Sequence, residues 1–380
     1  MDFLNGASAG EAVLFSAIAY VVPLLLGWWI FFSRVQGQTM QPARPAPRQA
    51  AVLAILLAAG GLSMTFGGIW DAMKHAKTGA IPSGADFLWA PHIMLYASFL
   101  AMFAVAVYAM GRLAADGWRA GVRDPRLWLR QNPGVGGLAV AALYAILSIP
   151  GDAIWHAIFG VDLTAWSIPH MMLGLSGNAV NLCALSLFLR SRPRSADRGV
   201  RDVASVIFLA IVLNLLSLLG VLEWEVPGGA LTGVVLHRPV WLYPVVFGGL
   251  SFVTLLVGRR LISRWGATAV ALAAYALRAA FTAAMGAADY PMPYFLPVML
   301  LGAILLDVVP WDRVRTGLIR YAGVALTFTA GYLALALPIL ISRPGLPAFS
   351  GGDIALSFAV MVAVAIALQP AGESLAAKLK

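Results

Sequence analysis

Charge is what this chain has least of. Of its 380 residues only 11% are Asp, Glu, Lys or Arg, while 61% are hydrophobic and the mean hydropathy is +0.84. A soluble globular domain carries about 25% charged residues, so a water-facing surface is excluded for most of the chain. Cysteine is nearly missing as well. The single Cys183 can form no disulfide within the chain, and one thiol cannot build a thiolate metal site. No Gly-rich loop leads into a Lys-Ser/Thr pair, so the parts of a phosphate-binding loop are absent. No nucleophile-elbow pattern surrounds any serine. No soluble stretch carries the clustered Lys and Arg that nucleic-acid binding requires.

What remains are long apolar runs. A membrane-spanning helix needs about 20 mostly apolar residues, and helices are the spanning structure that suits continuous runs. Eleven candidates start near Glu11, Ala50, Pro91, Val135, Pro169, Val203, Pro239, Ala267, Pro293, Gly317 and Asp353. The expected fold is therefore an all-α polytopic membrane bundle of about eleven spans, in an inner membrane, with the lipid bilayer as its first partner. The first run is long, with neither a basic leader nor a cleavage site, and reads as a span rather than a removed signal. Residues 1–49 hold that span and a Pro-rich linker, "QTMQPARPAPRQ". Residues 50–190 hold a duplicated motif, and residues 191–380 a further set of spans.

The few charges give the orientation. With the N-terminus outside, the loops near 33–49, 111–133, 190–202, 258–265 and 307–320, plus the C-terminal tail, contain 21 of the 26 Lys and Arg. The opposite loops hold Lys74, Lys77, Arg238 and Arg343, and most of the acids. Net charge is thus +14 on one face and −6 on the other. Basic loops stay cytoplasmic, so the C-terminus is expected there too. The overall +9 is a topology signal, and no nucleic-acid partner is implied. Arg278 falls mid-span in "AAYALRAAF", where it should pair with an acid such as Asp307 or reach for the interface.

The motif occurs twice. "WDAMKHAKTGAIPSGADFLWAPHIML" places Asp71 and His75 four residues apart, then His92. "GDAIWHAIFGVDLTAWSIPHMML" does the same with Asp152, His156 and His170. In each copy the second His follows a proline, Pro91 or Pro169, and a second acid precedes it, Asp86 or Asp162. A tryptophan flanks each opening pair, Trp70 and Trp155. Residues i and i+4 share one helix face, so Asp and His can ligate one ion, or the carboxylate can orient the imidazole. Proline suits the first turn of the returning helix. Each copy reads as a helical hairpin that offers Asp, His and His at one membrane depth, on the outer side. All five histidines fall on that side, the fifth being His237. One His at a span end is commonly an interfacial residue. Two repeated Asp-x3-His…Pro-His units are another matter, because ionisable groups near a bilayer are costly and mark function. Metal ligation is the favoured reading, beside a paired polar scaffold and haem ligation. Imidazole and carboxylate suit copper, with zinc or iron as alternatives.

The pattern resembles the C subunit of particulate methane monooxygenase and ammonia monooxygenase. That family's first hairpin carries Asp-x3-His and then "D-x-D-F-T-P-S-H"; here Asp71, His75, Asp86, Phe87, Pro91 and His92 stand in that order. Its second hairpin carries Asn-x3-His-x13-His, and here Asp152, His156 and His170 have that spacing. The resemblance implies one metal site from Asp71, His75 and His92, and a copper site from Asp152 and His156 with His92. It covers roughly residues 50 to 190. The first loop is longer than the family's, Asp152 stands where the family has Asn, and residues 200–380 have no counterpart. The family works with other membrane subunits, so such partners, or a homo-oligomer, are implied here.

Three functions fit the residues. One is a copper protein that activates oxygen in a monooxygenase-like way, alone or as a subunit, with Trp70, Trp89, Trp155 and Trp166 as redox-tolerant neighbours or as an interfacial belt. A second is a non-enzymatic metal handler or transporter, with Asn178, Asn181, Asn214 and Arg278 as the polar groups for a path. The third is a bis-His membrane cytochrome, which is weakened by having all its histidines on one side. For the topology, a reporter active only in the cytoplasm, fused after Lys380, should give signal. A silent reporter on full-length protein would refute the orientation.

Overall fold

The computed structural model describes residues 9–33, 46–78, 88–159, 166–192, 197–225, 239–262, 264–291, 297–313, 317–342 and 349–379. Among these residues every regular element is helical and no strand occurs. The helices are α1 (Ala9–Phe31), α2 (Pro47–Thr78), α3 (Ala90–Arg119), α4 (Pro125–Gln131), α5 (Pro133–Phe159), α6 (Ile168–Arg190) and α7 (Arg198–Glu225). They continue as α8 (Leu242–Leu261), α9 (Gly266–Ala287), α10 (Leu300–Val308), α11 (Gly317–Ile341) and α12 (Gly351–Leu379), with a 3₁₀ turn at Trp311–Arg313. In a lipid-facing chain each backbone N–H must find a carbonyl within its own segment, and the long apolar runs do this as helices.

Nine of the helices among the described residues are long and apolar enough to cross a membrane: α2, α3, α5 to α9, α11 and α12. Of the other two expected spans, the first is the 23-residue helix α1, Ala9–Phe31. The run expected from Pro293 contains α10, nine residues long. Pro297 precedes α10 by three residues and Pro310 follows it by two, and a ring without an N–H cannot continue a helix through its interior.

Helix starts follow local chemistry. Pro91 and Pro169 both occupy the first turns of their helices, after Trp89 and Ser167 as N-caps. This is where proline's missing N–H costs nothing. The short α4 begins at Asp124, whose Oδ1 accepts from the Arg126 backbone N–H at 2.9 Å. The Arg126 guanidinium beside it holds the Asp124 carboxyl below the usual carboxylate range. From the same helix, Arg130 donates to the carbonyls of Ile30 and Ser33 at the end of α1. A cation on the last carbonyls of a helix also favours its dipole.

The chain forms two compact units. The first contains α1, α2 as far as Gly68, and α3 to α6; the second contains the end of α2 from Ile69 and α7 to α12. In the first, α5 packs along α6 and also against α3 and α1. The glycines of "PGVGG" permit this. A Cβ on Gly134 would stand 3.2 Å from the Cys183 carbonyl and the Leu187 N, and one on Gly137 would stand 2.7 Å from the Cys183 sulfur. Small residues let membrane helices approach closely. Cys183 is thus a packing residue of α6.

In the second unit, α8 lies against α7, α9 and α12, and α10 against α9 and α11. Its core is aromatic. Phe252 and Phe328 sit 5.1 Å apart, and Phe328 stacks on Tyr332 at 5.9 Å. Asp307, near the end of α10, caps the start of α9. It accepts from the backbone N–H groups of Ala267 and Thr268 at 3.2 and 2.8 Å, and from the Thr268 hydroxyl at 2.8 Å. Glu373 of α12 joins Arg260 of α8 at 2.8 Å and Arg320 of α11 at 2.9 Å. Asp307→Ala removes a cap of the kind worth about 1 kcal/mol. Thermal unfolding followed by size exclusion should show a lower midpoint for Asp307→Ala, with Asp307→Asn retaining part of the loss. An unchanged midpoint in Asp307→Ala would contradict the cap.

Candidate metal centre

The final turns of α2 carry Trp70, Asp71, His75 and Lys77. An apolar helix would ordinarily end before such residues, but this one is 32 residues long and carries them on its last turns. The i, i+4 spacing does what helix geometry requires. Asp71 Oδ1 lies 3.7 Å from His75 Nε2, and His75 is only 8% exposed. Two residues further on, Lys77 Nζ reaches the Asp289 carboxylate at 3.0 Å, at the C-terminal end of α9.

His92 is the third residue of α3, immediately after Pro91. It falls in the first compact unit, while Asp71 and His75 fall in the second. Four donors about 2.1 Å from one ion stand about 3.4 Å apart in a tetrahedron, and the Asp71–His75 separation of 3.7 Å is close to that. Tyr96, one turn along α3, puts its ring 6.0 Å from the His92 ring. The sequence reading missed Tyr96, and its i+4 spacing from His92 was the signal available.

In the second copy Asp152 is buried in α5, and its Oδ1 lies 3.5 Å from Nε2 of His170 on α6. The backbone of His156 is helical, one turn beyond Asp152 in α5, and its side chain lies outside the described residues. Asp86, Asp162 and His237 lie outside them altogether. Of the flanking tryptophans, Trp155 is buried and Trp70 half-buried, as packing residues beside each pair.

Arg278 departs from one expectation. Asp307 is occupied at the start of α9, and Arg278 instead faces Glu225, the last residue of α7, at 3.6 Å. Glu225 had not been singled out in the sequence. It closes the "EWE" run at a span end, where an acid looks like an ordinary loop residue. Compared with family models, with curated proteins and with solved structures, the chain matches none. The chemistry of the site therefore rests on its residues.

Proposed function

We propose that this chain is a membrane copper-binding protein whose duplicated Asp/His hairpins form the metal centre at the non-cytoplasmic face of an inner membrane. The supporting observation is the repeated approach of a carboxylate to an imidazole, Asp71 to His75 at 3.7 Å and Asp152 to His170 at 3.5 Å. His92 supplies the third ligand of the first copy, and His156 belongs with the second. Such groups are expensive in an apolar helix bundle and are retained for function. Neutral imidazole with carboxylate and without thiolate favours Cu(II) over other common divalent ions. Bound copper supplies one-electron redox chemistry. The protein's part is to fix the imidazoles, to orient them through the neighbouring carboxylates, and to exclude water by burial. The likeness to the C subunit of the methane and ammonia monooxygenases makes an oxygen-activating role, with further membrane subunits, the reading we adopt.

The proposed topology has eleven crossings, with the N-terminus outside and the C-terminus in the cytoplasm. The chain between Asp289 and Val309 supports the count. It leaves the C-terminal end of α9 and returns to its start, where Asp307 caps Ala267 and Thr268. A segment that travels the length of a spanning helix counts as a crossing even where α10 is short. The α1 run supplies the remaining one.

Metal analysis of purified protein after copper loading tests the function. About one or two copper ions per chain are expected, with a Cu(II) resonance from nitrogen and oxygen ligands. His75→Ala together with His156→Ala should abolish the bound copper without changing the elution volume. Zinc with no copper uptake would overturn the copper reading in favour of metal handling. A haem absorbance band in metal-free protein would overturn metal ligation altogether.

A further inference from the structure

The second unit gathers arginine at one of its ends. Arg259 and Arg260 close α8, and each ties that helix end to another element. Arg259 Nη2 donates to the Val309 carbonyl, just past α10, at 3.3 Å. Arg260 meets Glu373 of α12 at 2.8 Å, and the same carboxylate holds Arg320 of α11 at 2.9 Å. The start of α9 joins the group, because Gly266 packs on the Gly258 backbone and Asp307 of α10 caps Ala267 and Thr268. The ends of α8, α10 and α12 therefore meet the starts of α9 and α11.

Charge at this end is in excess whatever the pairing. Residues 258–265, 307–320 and 369–380 form it, and they carry eight Lys and Arg against three acids, Asp307, Asp312 and Glu373. Three carboxylates cannot neutralise eight cations. The side chains of Asp312 and Arg315 lie outside the described residues and enter the count with opposite signs. An acid drawn in from the opening turn of α7, Asp202, arrives with Arg198 and Arg201 of the same turn. Arg264, just before α9, and Arg313, in the 3₁₀ turn, are exposed and make no ion pair among the described residues.

Apolar side chains stand beside these cations. Trp265, the N-cap of α9, and Leu318 and Ile319, in the first turn of α11, are each more than half exposed. Trp265 takes a left-handed backbone, φ 53°, which a bulky residue adopts rarely and at a cost. Tryptophan and arginine where spans begin are the side chains that suit the headgroup layer. A nucleic acid or an acidic protein would answer the charge and leave the indole and the two aliphatic chains in water. A phospholipid answers both, with its phosphate for the guanidinium groups and its glycerol and upper acyl carbons for the apolar ones. We propose that this end of the second unit is a binding surface for an anionic phospholipid. Arg264, Arg313 and Arg320 take the headgroup, Glu373 holds Arg320 in place, and Trp265, Leu318 and Ile319 lie against the lipid below the phosphate. The assignment is independent of the metal centre.

Delipidated full-length protein in detergent tests this with phosphatidylglycerol and phosphatidylcholine of matched chains, bound lipid being read from the mass of the intact complex. At about fivefold per arginine, phosphatidylglycerol should bind about 100-fold more tightly, and inorganic phosphate should not displace it. Arg264→Gln with Arg313→Gln should lower its affinity about 25-fold, whereas Arg264→Lys with Arg313→Lys should keep most of it. Arg112→Gln with Arg123→Gln removes the same charge from two exposed positions of the first unit and should leave the preference intact. If the first glutamine pair changes the elution volume, Arg313→Gln alone takes its place, with a loss of about fivefold. Equal binding of the two lipids would overturn the proposal. An equal loss in the first-unit control would overturn it too, by reducing the preference to the field of the whole chain. Displacement by inorganic phosphate would overturn it in favour of a free anion.

Discussion

The bilayer core offers no water to a polar group, and every feature of this chain answers to that constraint. Backbone groups are satisfied by helices alone, which is why no strand occurs among the described residues. Side-chain charges are satisfied by partners brought from other helices. Glu225 meets Arg278 across α7 and α9. Glu373 meets both Arg260 and Arg320. Asp307 spends its carboxylate on the exposed N–H groups that begin α9. In an aqueous protein such pairs contribute little when exposed. The Arg278–Glu225 pair is the buried one, and a buried charge that loses its partner is costly.

Glycine and proline position the rest. The "PGVGG" start of α5 brings α6 close enough for backbone contact. A similar approach joins α8 to α9, where a Cβ on Gly266 would collide with the Gly258 carbonyl oxygen. Proline marks the turn of each duplicated hairpin, because Pro91 and Pro169 fit the opening turn of α3 and α6 and no other part of them. His92 and His170 are therefore delivered by the same local device. Their depth is set by where a helix can start, rather than by any long-range contact.

The helical class was legible in the sequence because hydropathy alone dictates it, and so was the i, i+4 pairing of Asp71 with His75, because helix geometry dictates that too. The prolines before His92 and His170 were legible for the same local reason. What the sequence did not reveal depends on rotation of one helix against another. Which acid meets Arg278 turns on the faces that α7, α9 and α10 present, and Asp307 and Glu225 are equally plausible on paper. The short α10 was obscured because hydropathy counts apolar residues without asking where Pro297 and Pro310 bound a helix. Tyr96 was overlooked because an aromatic in an apolar run carries no signal until its neighbour is known.

The two carboxylate–imidazole pairs differ in burial. Asp71 is half-buried, and His75 lies one turn away on α2 at 3.7 Å. Asp152 is 4% exposed and sits two residues beyond Pro150 in α5, and an imidazole 3.5 Å from it comes from α6. A buried charge is costly without partners, and the packing of α6 along α5 supplies His170 as one of them.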